Sequence, residues 1–138
     1  MWRPFLDTDV LLDVVLRREP HWADSLAVLQ LCEGCDDVQG MTSTLVLSNL
    51  NYILTKAADK TVARSSVAQL REVLYVCGVG DRELGEALLS DSDDLEDGIQ
   101  HSSALHGGAG ITVTRNTRDF DAATLAVMTP TQFVAVSC

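Results

Sequence analysis

Five short strand-like segments punctuate this chain, at residues 4–6, 38–42, 75–79, 111–114 and 126–128, and the long intervals between the first four carry apolar residues at helical spacing. Each segment has the length of a strand, and those long intervals exceed any hairpin turn. Strands separated in this way pair in parallel, joined by right-handed helical crossovers that cover the faces of the sheet. The alternation predicts an α/β fold: a three-layer α/β/α sandwich with a central parallel sheet of about five strands and six or seven helices.

Local signals set the helix limits. The first helix is expected over residues 7–16 with Thr8 or Asp9 as its N-cap, and Arg17 to Pro20 break it. The second covers 20–33, with Trp22, Leu26, Leu29 and Leu31 near helical spacing. A third starts at Ser43 or Thr44 and carries Leu45, Leu47, Leu50, Ile53 and Leu54; a fourth covers 62–74 with Val67, Leu70 and Val73. Residues 81–90 form a fifth. Asp93-Asp-Leu-Glu96 has the form of a capping box opening a sixth, which stops at Gly107-Gly108. Thr129 and Pro130 begin the last, as N-cap and first helical residue.

At 138 residues and 46% hydrophobic, the chain has the material for one domain spanning 1–138 with a sizeable core. No apolar run approaches the roughly 20 residues that span a bilayer, and Met1-Trp2-Arg3-Pro4 leads into a strand without signal-peptide grammar. A soluble, cytoplasmic protein is expected. The formal charge of −10 excludes a protein that grips nucleic acid through a broadly basic surface, because that affinity comes from counterions released at Lys and Arg. It leaves room for nucleic-acid chemistry at a local site, since ten basic residues remain, eight of them arginines. Lys56, Lys60, Arg64 and Arg71 are the basic concentration of the middle of the chain, and they suit a solvated face better than a nucleic-acid guide. Cys32 and Cys35 have Cys-x-x-Cys spacing, but no second pair follows, and they close a helix where a reactive thiol would open one. No P-loop or Gly-x-Gly-x-x-Gly occurs, and His101 and His106 miss the i, i+4 spacing of a helical metal pair.

The strand ends carry the acids. Asp7-Thr-Asp9 follows the first strand, Glu96-Asp97 opens the sixth helix, and Asp119 lies in Thr114-Arg-Asn-Thr-Arg-Asp-Phe120 after the fourth strand. Ligands of an open parallel sheet bind at the carboxyl ends of its strands, near the point where strand order reverses, so these carboxylates converge there. Converging oxygen donors suit a hard divalent cation and hence a metal-dependent hydrolase. Each acid also has an ordinary role to fill: Asp7 or Asp9 as a cap, Asp91, Asp93 and Asp94 as favourable charge at a helix N-terminus, Thr114 and Asn116 as turn residues. Asp97 stands about 200° round the helix from Ile99, so it faces a cleft while Leu95 and Ile99 pack. Glu96 then suits a capping-box role more than a ligand's.

Together these segments resemble the PIN-domain family, the fold of the VapC-like toxin ribonucleases, and in particular its branch of small stand-alone bacterial proteins. Phe5-Leu-Asp-Thr-Asp-Val-Leu-Leu-Asp13 is similar to the family's opening motif and Arg18-Glu-Pro20 to the start of its second helix. Ser48-Asn-Leu-Asn-Tyr-Ile-Leu54 resembles its third helix, Leu95-Glu-Asp-Gly-Ile-Gln100 its acidic helix, and Val113-Thr-Arg-Asn-Thr-Arg-Asp-Phe120 its last acidic turn; Thr129-Pro-Thr-Gln-Phe133 also fits. The resemblance implies a Rossmann-like PIN fold and an endoribonuclease using Mg²⁺ or Mn²⁺ held by Asp7, Asp97 and Asp119, the toxin of a type II toxin–antitoxin pair. It implies Arg115 and Arg118 at the flanking phosphates, with Asn49, Thr8, Asp9, Glu96 and Asn116 in support. RNA, a cognate antitoxin and a second copy of the chain in a homodimer are the implied partners.

Two positions depart from the family pattern. Asp9 stands where the opening motif usually has Asn, which adds a charge beside Asp7. Asn49 stands where many active members have a glutamate, and an amide adds no negative charge, so the metal is held less firmly. The alternatives are a catalytically weak or inactive PIN domain that binds RNA or a protein, which Asn49 favours, and a haloacid-dehalogenase-like phosphatase. The second rests on Asp7-Thr-Asp9 alone and is opposed by Leu11, where that motif has Thr or Val.

Overall fold

The computed structural model describes residues 1–117 and 125–137. The strands β1 (Pro4–Leu6), β2 (Met41–Ser43), β3 (Tyr75–Cys77), β4 (Ile111–Val113) and β5 (Ala126–Met128) form one parallel sheet in the order β3-β2-β1-β4-β5. Central β1, β2 and β4 are buried at every residue, whereas β3 and β5 at the edges are partly exposed. Burial on both faces goes with apolar residues such as Phe5, Leu6, Met41, Ile111 and Val113, while the buried Thr42 of β2 satisfies its hydroxyl on the Leu6 carbonyl at 3.1 Å. The expected α/β architecture is the one observed.

Among the described residues seven helices flank the sheet: α1 (Thr8–Val15), α2 (Trp22–Gly34), α3 (Thr44–Ala57), α4 (Lys60–Val73), α5 (Asp81–Leu89), α6 (Leu95–Gly107) and α7 (Pro130–Val136). Helix α1 packs on α2 and α3, α3 on α4, and α2 on α7, while α5 and α6 pair with each other and α6 lies on β2 and β3. The core runs through Phe5, Leu6, Val10, Leu11, Val46, Leu50, Val113 and Phe133, all essentially inaccessible. Among the described residues no helix is long and apolar enough to cross a membrane.

Several local expectations shift. The α1 cap is Asp7, not Thr8 or Asp9: β1 ends at Leu6 and the helix begins at once, so the last extended residue does the capping. The strand expected over 38–42 splits into an isolated Trp2–Val38 bridge and the β2 ladder. Helix α2 buries Ser25, Val28 and Leu29 and leaves Trp22, Leu26 and Leu31 half-buried, because Ser25 turns inward to a buried carboxylate of α1. Helix α6 ends at Gly108 with φ of 91°, a left-handed conformation suited to glycine. At Gly107 a Cβ would collide with the Cys77 sulfur, so the close approach of α6 to β3 requires the missing side chain. Thr129 and Gln132 form the reciprocal capping box at the start of α7, with Pro130 first in the helix. Cys32 is a free thiol whose pKa burial pushes up to about 12, leaving no thiolate for redox or metal chemistry.

Candidate metal centre

The chain runs outward from β1 through β2 to β3 and returns to β4 on the other side of β1, so strand order reverses between β1 and β4. There the backbone N–H of Asp7 donates to the Val113 carbonyl at 3.1 Å, tying the two strand ends together. The Asp7 carboxylate accepts from the Thr8 N–H at 2.7 Å through Oδ1 and from the Thr114 hydroxyl at 3.0 Å through Oδ2. Thr114, wholly buried just past β4, also lies 3.3 Å from Oδ2 of Asp9. A hydroxyl carries one proton, so Thr114 satisfies only one of these carboxylates at a time. Oδ2 of Asp9 also accepts from the Arg115 N–H at 3.1 Å, and the Asn116 N–H donates to the Thr114 hydroxyl oxygen at 3.2 Å. The turn leaving β4 is thereby fastened to the first turn of α1.

The charge at this point is not balanced. Burial pushes the Asp7 carboxyl from 3.8 up to about 6, the neighbouring Asp9 charge adds to it, and Asp97 acts in the same direction; the bonds from Thr8 and Thr114 oppose them and are outweighed. That influence also brings Asp97, from the first turn of α6, into the neighbourhood of Asp7.

One turn beyond Asp9 on the same helical face stands Asp13, fully buried, which was not singled out in the sequence. Arg115 donates to it through Nε at 2.6 Å and Nη2 at 3.3 Å, Arg18 through Nε at 3.0 Å, and the Ser25 hydroxyl at 3.4 Å. The Arg115 guanidinium, expected at a substrate phosphate, is therefore turned inward onto Asp13. The signal for Asp13 was available as an acid inside the apolar run Val10-Leu-Leu-Asp-Val-Val15.

On α6 the cap is Asp94, whose carboxylate accepts from the N–H groups of Glu96 at 2.8 Å and Asp97 at 3.3 Å. The capping role expected of Glu96 is thus corrected: with Asp94 as N-cap, the third helical position of a capping box belongs to Asp97, and Glu96 stands one place earlier. Its carboxylate instead accepts from the Asn49 amide of α3 at 2.6 Å. Leu95, expected to pack, is 45% exposed, while Gly98 and Gln100 are buried. Asp119 and Arg118 lie outside the described residues.

Fold and site together define an α/β protein whose acidic centre occupies the switch point of a parallel sheet. Residues 3–118 match the PIN domain, and the chain belongs to the PIN-domain family, a family of nucleases. No curated protein matches the sequence. Among solved structures, VapBC2 from Rickettsia felis, bound to a promoter DNA fragment, superposes with a TM-score of 0.70 at 16% identity, over 92% of this chain and 98% of that one. VapC20 from Mycobacterium tuberculosis, a sarcin–ricin loop cleaving toxin, gives 0.69 at 17% identity over 86% and 94%. A toxin–antitoxin complex from Klebsiella pneumoniae gives 0.69 at 18% identity over 92% and 97%. At these identities the likeness is one of fold.

The residues suit the divalent cation that the family implies. Among the described residues, Oδ1 of Asp9 and Oγ1 of Thr8 are buried oxygens with no hydrogen-bond partner, and the Asp7 carboxyl is raised by burial with the Asp9 and Asp97 charges adding to it, both of which a cation relieves. The donors at this point are oxygens, as Mg²⁺ and Mn²⁺ prefer. Among the described residues, no three carboxylates stand close enough to hold one ion by themselves.

Proposed function

We propose that this protein is a Mg²⁺- or Mn²⁺-dependent endoribonuclease that hydrolyses RNA phosphodiester bonds, acting in the cytoplasm as the toxin of a type II toxin–antitoxin pair. The observation that carries the reading is the Asp7 carboxyl at the switch point of a PIN fold, raised by burial and further by the charges of Asp9 and Asp97. Asp7, Asp97 and Asp119 are the residues that would hold the ion. When bound, it supplies a water of lowered pKa and a clamp on the phosphate oxygens. The chain's own part is to aim and charge the site. The Thr8 N–H and the Thr114 hydroxyl orient the Asp7 carboxylate, and Asp9 holds the turn leaving β4 through the Arg115 N–H. Uncompensated carboxylates repel phosphate, so substrate binding follows neutralisation of the site. Arg118 is the arginine of this turn assigned to a flanking phosphate, Arg115 being engaged by Asp13.

RNA as substrate is supported by the described activity of the VapC20 toxin, and an antitoxin partner by the toxin–antitoxin complexes among the similar structures. A homodimer of single-domain subunits completes the reading and is checked by light scattering. The central test is incubation with single-stranded RNA and Mn²⁺, with Asp7→Asn as control. Cleavage that the variant abolishes is expected. RNA binding without cleavage under any divalent cation refutes the nuclease in favour of the second reading, a non-cutting PIN domain, which Asn49 favours by adding no charge. Hydrolysis confined to small phosphomonoesters would indicate a phosphatase.

A further inference from the structure

Glu96 is exposed, yet its carboxylate is held from two sides: Asn49 of α3 donates to Oε1 at 2.6 Å, and Gln100, one turn along α6, donates to the same oxygen at 3.4 Å. A glutamate in the first turn of a helix is already favoured there by the macrodipole and by water, and fixing it costs rotamer entropy. Capping does not account for the restraint, because Asp94 caps α6. Both amides fall on Oε1, so Oε2 accepts no hydrogen bond among the described residues. The next residue is Asp97, whose charge acts on Asp7.

We propose that Glu96 is a functional carboxylate of the metal centre and that Asn49 is the residue that positions it. The inference rests on the metal-centre reading above and deepens it. Glu96 would act on the ion's hydration shell through Oε2, since Mg²⁺ retains several of its waters. The Asn49–Glu96 bond also joins α3 to α6, so a neutral side chain at position 49 contributes to the site by aiming a charge that it does not carry.

Calorimetric titration of the full chain with Mn²⁺, without RNA, tests this. Glu96→Gln is expected to weaken Mn²⁺ binding about tenfold, the size of effect known for partners outside a metal's direct ligands, with the metal-free melting temperature lowered by no more than about 4 °C. Asn49→Ala should weaken it less, and Asn49→Gln, which keeps an amide donor, should restore part of the loss. Glu96→Gln binding Mn²⁺ as tightly as the wild type, while Asp7→Asn has lost it, overturns the proposal and leaves the metal centre standing. Undiminished binding by Asp7→Asn, or none by the wild type, overturns the metal-centre reading and this inference with it.

Discussion

Asp7→Asn should make the metal-free protein more stable at pH 8, the reverse of the usual result of altering a buried polar residue. Asp7 titrates at 3.8 in an ordinary environment and at about 6 here. In the unfolded chain the carboxyl therefore loses its proton first. Folding is penalised as pH rises from about 4, and above about 6 the penalty is constant. The shift is roughly two pH units at about 1.4 kcal/mol each, close to 3 kcal/mol of stability withheld from the ionised protein. Asparagine removes that penalty and remains a good N-cap, so the bond from Thr8 survives. It disturbs the bond from Thr114, at a cost of about 1 kcal/mol. The balance is a gain of about 2 kcal/mol, equivalent to a melting temperature higher by roughly 5–8 °C. Thermal melts in chelator at pH 8 and pH 5 read it directly: the variant's advantage should be large at the first and much smaller at the second. Mn²⁺ should then stabilise the wild type and leave the variant unchanged. A variant that melts below the wild type at pH 8 in chelator would refute the electrostatic reasoning.

Asp13→Ala removes the buried acceptor of Arg115 and Arg18, and because both arginines reach solvent the cost should be about 1–3 kcal/mol, measured by urea denaturation. Thr114→Val removes a bond that lowers the Asp7 pKa, so the carboxyl should titrate above about 6 when followed by carbon-detected NMR. Gly107→Ala should destabilise by about 1–3 kcal/mol through collision with the Cys77 sulfur, despite alanine's better helix propensity, and Cys77→Ala in the same chain should recover most of the loss.

The sheet was legible because short strand-like segments such as Pro4–Leu6 and Ile111–Val113 alternate with long stretches at helical spacing, although β2 carries the polar Thr42 and Ser43. The acids at their ends were legible because an open parallel sheet brings strand ends together. What escaped depends on shifts of a single residue and on contacts made across the fold. Helix α1 starts immediately after β1, which moves the cap to Asp7; α6 takes its cap at Asp94, which releases Glu96 to Asn49. Asp13 looked like an interruption in an apolar helix because its Arg115 partner is 102 residues away. The inward turn of Ser25 on α2 follows from the same buried carboxylate.

The place of β1 in the sheet also sets when the centre can exist during synthesis. On one side β1 can pair with β2, whose Met41 opposite Phe5 follows within the first third of the chain. On the other side it must wait for β4, whose Ile111 pairs with Pro4. Until Thr114 has left the ribosome, Asp7 lacks its hydroxyl partner, and the β4-facing edge of β1 is an open row of hydrogen-bonding groups. A nascent chain of this protein is thus without its acidic centre for most of translation, and its greatest exposure to mispairing falls in the same interval.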